Sequence, residues 1–321
     1  MPFLIALGIG LALTPLLARV GRAAGLVDHP SGSALKIHAE PRPLTGGIAI
    51  VFATLIAQAI GRGEVESWTA GIVVLLVLGV VDDLVSLPAV VRLLGEVAAG
   101  VALALAGLTL SPLGDAGPVV LALAVLALAN AVNFVDGQDG LAGGLATASA
   151  LGVTAILASQ GSVGDLGPAL VASLLAFLVW NRPPASVFLG DGGAYAVAGL
   201  LVVLASSAAT SWEALLGVLV CMTPFVVELV STIVRRLVTR SAMTSGDRSH
   251  LYDLLAIRLG GRERSTGVIV GVGICVSALG LLVAEIPLLG GVAITLAIAI
   301  ASAVGVRVLW TTTSKPVRRS Q

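Results

Sequence analysis

The stretch NAVNFVDGQDGLAGG, residues 130–144, decides how this chain is read. It follows PVVLALAVLALA (118–129), a run with no polar side chain. Within ten residues come Asn130, Asn133, Asp136 and Asp139, with glycines between and behind them. Unpaired carboxylates are costly in an apolar medium, so ionisable groups at the end of a greasy helix mark a functional position. Asn130, Asn133 and Asp136 recur every three residues and share one face if helical. Gly137 and Gly140 let the backbone turn or approach a ligand. Hard oxygen donors of this kind suit magnesium, which keeps phosphate oxygens and water in its shell. Polar packing between membrane helices is the competing reading.

Outward from this stretch, the chain is 57% hydrophobic and only 11% charged, against about 25% charge in soluble domains. Mean hydropathy is +1.05. These values predict an all-α integral membrane protein. Eleven apolar runs approach the length of a span: 2–19, 46–61, 67–81, 90–107, 117–133, 142–160, 166–181, 193–210, 213–236, 265–284 and 288–309. No repeat or soluble domain interrupts them, so 1–321 reads as one polytopic domain, with 235–264 a cytoplasmic recognition loop and 311–321 a tail. The first run has its basic residues behind it, as in a transmembrane helix rather than a cleaved signal peptide. Zero formal net charge suggests no nucleic-acid partner. Cys221 and Cys275 lie in apolar runs and read as packed thiols. Three histidines, His29, His38 and His250, make no local zinc site.

Lysine and arginine set the orientation. With the N-terminus outside and alternating spans, seventeen of the 18 basic residues fall inside and only Arg62 outside. The C-terminus is then cytoplasmic, and the unusual polar segments share that face. Asp82-Asp83 closes one apolar run, with Arg92 and Glu96 after it. Adjacent carboxylates repel unless a cation is near, and Arg92 is placed to meet a phosphate. FLGDGG (188–193) sets Asp191 between glycines before a helix, as a cap or as part of a phosphate-binding turn. Arg235, Arg236, Arg240, Arg248 and His250 fill the last inside segment.

These motifs, in this order from about residue 28 to 255, resemble the polyprenyl-phosphate N-acetylhexosamine-1-phosphate transferases. KIHAEPRPLTGGIAI is similar to that family's first loop, DDLVSLPAVVRLLGE to its paired-Asp motif, NAVNFVDGQDGLA to its most specific signature and FLGDGG to its magnesium-binding motif. RRLVTRSAMTSGDRSHL matches the last cytoplasmic loop in spacing. The resemblance implies a plasma-membrane enzyme with its active site at the cytoplasmic face, and a homodimer as one assembly. A membrane polyprenyl phosphate would attack the β-phosphate of a UDP-N-acetylhexosamine, giving polyprenyl-diphospho-sugar and UMP. It implies magnesium, with manganese as the alternative, on Asp191 and Asn133. It gives catalytic roles to Asp82, Asp83, Asp136, Asp139 and His250, with Asp82 the candidate base. Substrate binding falls to His38, Arg92, Asn130, Asn133, Arg236, Arg240 and Asp247.

The sequence departs from the family pattern where His-x-His-His is usual: here it reads His250-Leu-Tyr252-Asp253. Glu228 also stands where Asp is usual. An Asp near a diphosphate would repel it, so Asp253 is expected to turn toward an arginine of its own segment while His250 meets the phosphates. Three other readings remain: the phospho-MurNAc-pentapeptide transferase of peptidoglycan synthesis, an inactive homologue, and a transporter. Against the transporter, the carboxylates cluster at inside helix ends and no repeat is present.

Overall fold

The computed structural model describes residues 1–30, 40–242 and 247–313. Expectations for His38 and for most of the tail lie outside the described residues. The chain is almost wholly helical. In order come α1 (Pro2–Ala24), α2 (Gly46–Arg62), α3 (Thr69–Val85), α4 (Ala89–Leu105), α5 (Gly117–Val135), α6 (Leu141–Ser159) and α7 (Leu166–Asn181). Then follow α8 (Gly190–Ala208), α9 (Trp212–Cys221), α10 (Thr223–Thr239), α11 (Leu251–Leu259), α12 (Arg262–Glu285) and α13 (Leu288–Thr313). Each of the eleven apolar runs holds at least one helix. Among the described residues, six helices are long and apolar enough to cross a membrane, or seven if α9 and α10 form one span. Helices α2 and α7 are apolar but shorter.

Two expectations change. The run 213–236 is not one straight helix but bends by 66° between α9 and α10. Pro224 sits in the first turn of α10, where its missing N–H and fixed φ suit a helix start and cannot continue the one before. The segment 235–264 is not a loop throughout. It holds the end of α10, all of α11 and the start of α12, separated by Arg240 and Gly260 in left-handed conformations.

Helix α8 is buried along nearly its whole length and packs against α2, α3, α5 and α6. Gly47 lies directly on the backbone of Gly193, and Gly79 on the backbone of Asp191 and Gly192. Side chains at these positions would collide with main chain, so glycine is what lets α2 and α3 close on the start of α8. Around this core, Leu16, Phe52, Ile60, Val77, Leu105, Leu123 and Ile300 point outward and exposed. Water would not tolerate so wide an apolar belt on a monomer, but lipid does. A two-residue antiparallel ladder, β1 (Val27–Asp28) with β2 (Arg42–Pro43), pairs Asp28 with Arg42.

Candidate active site

Helix ends meet around one cavity of about 610 Å³. The C-terminal ends of α3, α5 and α7 give Asp83, Asn133 with the following turn to Asp139, and Asn181. The ladder gives Asp28 and Arg42, and the start of α8 gives Phe188, Gly190 and Asp191. Asp247, Arg248, Tyr252 and Arg262 come from the segment between α10 and the start of α12. Carboxylates and arginines therefore line the same cavity. Five polar segments far apart in sequence converge here because alternating helices bring every second end to the same place.

Two of the lining carboxylates, Asp83 and Asp139, are fixed by main chain. Asp83 accepts the amides of Asp191 at 3.0 Å and Gly192 at 3.3 Å. These are first-turn donors of α8 that lack an intrahelical partner. FLGDGG thus does not offer those amides to a phosphate, since Asp83 caps them. Asn133 Nδ2 donates to Asp191 Oδ1 at 2.5 Å, joining the two residues expected to hold metal. Asp139 accepts the Ala185 amide at 2.8 Å. Asn181 accepts from Gly140 N and donates to the Val187 carbonyl, both at 2.9 Å. The turn after α5 is therefore pinned to the turn before α8. Asp136 has its carboxyl pushed well above the usual range, first by desolvation and then by Asp191, Asp83 and Asp139. So much negative charge around one space calls for a cation. Among the described residues, no group of three or more His, Cys, Asp or Glu forms a metal cage. One or two carboxylates with an open side are what magnesium takes when phosphate and water complete its shell, so the donor set fits that ion.

Several expected site residues lie elsewhere. Asp82 is buried, and its carboxylate is engaged by Leu87 N at 2.7 Å, Tyr195 Oη at 3.0 Å and Arg92 Nη1 at 3.2 Å. It does not line the cavity, and a carboxylate holding three donors is a clamp between α3, α4 and α8 rather than a base. Asn130 donates to Glu96 Oε2 at 2.5 Å and links α5 to α4. Arg236 is buried over the Phe134 ring at 5.2 Å. Arg240 is exposed at the end of α10. His250, expected against the phosphates, is buried with Nδ1 2.8 Å from Glu228 Oε1. Its ring stacks on Tyr252 with centroids 5.3 Å apart, so Tyr252 faces the cavity and His250 stands behind it.

Asp247 does line the cavity, but its carboxylate pairs with Arg235 at 2.9 Å and Arg236 at 3.4 Å and accepts the Ser249 amide at 2.8 Å. Burial opposes its ionisation, yet the Ser249 amide and Arg235 outweigh it and hold the carboxyl below its ordinary value. Asp253 turns to Arg248, as expected, and also to Arg262. Its carboxyl is raised by burial, an effect that Arg248 and Arg262 reduce without cancelling. Sequence reasoning missed Asp28, Arg42, Asn181, Phe188 and Arg262 as cavity residues. Asn181 carried a signal, an amide closing an apolar run as Asn130 does; Arg262 was hidden among charges that any inside loop carries.

The model of glycosyl transferase family 4 matches residues 65–209, which include Asp83, Asn133, Asp136, Asp139 and Asp191. A probable undecaprenyl-phosphate N-acetylglucosaminyl 1-phosphate transferase of Bacillus subtilis is 27% identical over 79% of this chain and 76% of its own. A decaprenyl-phosphate N-acetylglucosaminephosphotransferase of Mycobacterium leprae is 31% identical over 76% and 73%. A phospho-N-acetylmuramoyl-pentapeptide-transferase of Desulforudis audaxviator is 32% identical over 73% and 80%. With two relatives above 30% identity that the chain covers over 80% and 73% of their length, and the family model on its central helices, the chain belongs to glycosyl transferase family 4.

Proposed function

We propose that the chain transfers a HexNAc-1-phosphate, foremost GlcNAc-1-phosphate, from a UDP-sugar to a membrane polyprenyl phosphate, the first step of a cell-envelope glycan. The observation that carries this reading is a cavity lined by both carboxylates and arginines where the helix ends of an apolar bundle meet. A phosphate oxygen of the lipid attacks the β-phosphorus of the UDP-sugar. The bond from that phosphorus to the bridging oxygen breaks, and UMP leaves with the electron pair. Such a transfer asks for positioning and charge neutralisation more than for covalent chemistry. Magnesium held by Asp191 and Asn133 would supply positive charge to the diphosphate. Asp83 fixes the first turn of α8 and so aims Asp191. Arg42, Arg248 and Arg262, which line the same cavity, orient the phosphates. Arg92 stands on α4 beside exposed Val90, Val91 and Leu94, a route by which a lipid phosphate meets a cation without leaving the bilayer.

In this reading α9 with α10 counts as one of eleven passes, and the cavity opens to the cytoplasm with the N-terminus outside. The excess of Lys and Arg at that end supports it. UMP release from UDP-GlcNAc with polyprenyl phosphate and magnesium tests the activity; no release from any UDP-HexNAc refutes it. A second reading, UDP-MurNAc-pentapeptide as donor, is favoured by the third relative above, and takes over if that donor alone turns over. Labelling of a cysteine placed at Arg240 from outside intact cells would overturn the orientation.

A further inference from the structure

We infer that Asp253 is the positioning residue for an arginine pair, Arg248 and Arg262, that binds the phosphates of the donor nucleotide. This rests on the sugar-nucleotide reading above. Asp253 lies in the first turn of α11, Arg248 in the segment before it and Arg262 at the first position of α12. One oxygen, Asp253 Oδ1, stands 3.5 Å from Arg248 Nη1 and 3.7 Å from Arg262 Nη2. Three parts of the chain thus meet at a single atom. Two guanidinium groups this close repel unless an anion stands between them, and Asp253 is that anion.

Both arginines line the cavity and Asp253 does not, so the carboxylate acts from behind them. Both pairings are longer than the 2.7–2.9 Å or so of a tight charge-assisted hydrogen bond. Each engages one nitrogen of a guanidinium, a planar group whose direction one such contact steers. The other oxygen, Asp253 Oδ2, is buried with no hydrogen-bond partner among the described residues. A carboxylate kept for packing alone would gain from using both oxygens, because a buried acceptor left unsatisfied is destabilising. Arg262 also borders an adjoining cavity of about 460 Å³, shared through Asp139 and Pro184, so its aim decides how the two spaces connect.

The test uses the purified full-length protein and compares binding of UMP with binding of uridine, beside KM and kcat for UDP-GlcNAc. Asp253→Asn should weaken UMP about tenfold, leave uridine unchanged, and raise KM far more than it lowers kcat. Asp253→Glu should recover most of the UMP affinity. The double variant Asp253→Asn with Arg262→Gln should lose less UMP affinity than the two single losses combined, because only the hold on Arg248 is left for Asp253 to provide. Equal losses for UMP and uridine, fully additive losses, or unchanged UMP affinity would each overturn the inference. If Asp253→Asn does not fold, Arg248→Gln and Arg262→Gln carry the test, and wild-type UMP affinity in both refutes it. A protein that discriminates UMP from uridine through these residues yet releases no UMP from any UDP-sugar sinks the proposed reaction and leaves the arginine pair standing.

Discussion

Asp83, which lines the cavity, is tied to main chain, the amides of Asp191 and Gly192, whereas Asp253 behind the arginines is tied to side chains alone at 3.5 and 3.7 Å. Backbone donors in a helix cannot shift without moving the helix. Arginine side chains change rotamer readily. The first arrangement therefore suits chemistry that tolerates little displacement, and the second suits the choice of donor. The span matched by the family model follows the same division: residues 65–209 take in Asp83, Asp136, Asp139 and Asp191 and end before Arg248 and Arg262.

The most severe way to test this division is Asp191→Asn. Turnover should fall by about a thousandfold, the scale of losing a dominant electrostatic contact at a reacting centre. Folded yield should hold, because one negative charge leaves a crowded group. Near-normal UMP release at saturating magnesium would break the comparison at its stronger end. Asp83→Ala comes next. It uncaps two amides of α8, so stability should drop by about 1–2 kcal/mol and the rate by about a hundredfold. A loss of stability without loss of rate would show that Asp83 caps the helix without aiming Asp191. The smallest effect should come from Glu228→Gln, which weakens the hold on His250 and so on the Tyr252 ring stacked against it. About tenfold in rate, or about 1.4 kcal/mol, is expected from steady-state assays. A loss as large as that of Asp191→Asn would mean that His250 reaches the substrate directly.

The helices and the converging segments were legible because hydropathy and the spacing of Asn and Asp carry them. Which of two neighbouring carboxylates faces the cavity was not. Asp82 and Asp83 are equally polar and adjacent, yet successive helix residues point about 100° apart, so one meets the Tyr195 and Arg92 side chains while the other meets the first-turn amides of α8. His250 was misplaced for a similar reason: Glu228, which holds it, is 22 residues away, and no local pattern marks such a pair. Helix α11 escaped notice because its nine residues fall short of the run that periodicity needs and lie among charges. The bend after α9 was foreshadowed only by Pro224, and a proline alone does not fix an angle.

The contacts of Gly79 and Gly47 with the start of α8 bear on how natural variants of this chain should be ranked. Substitution scales treat glycine to alanine as among the mildest of changes, one methyl group with no charge. Here that methyl would press on the main chain of Asp191 or Gly193 and displace the start of α8, with the Asp191 side chain it carries. Variants at these two positions therefore rank with losses of charged cavity residues rather than with mild core changes.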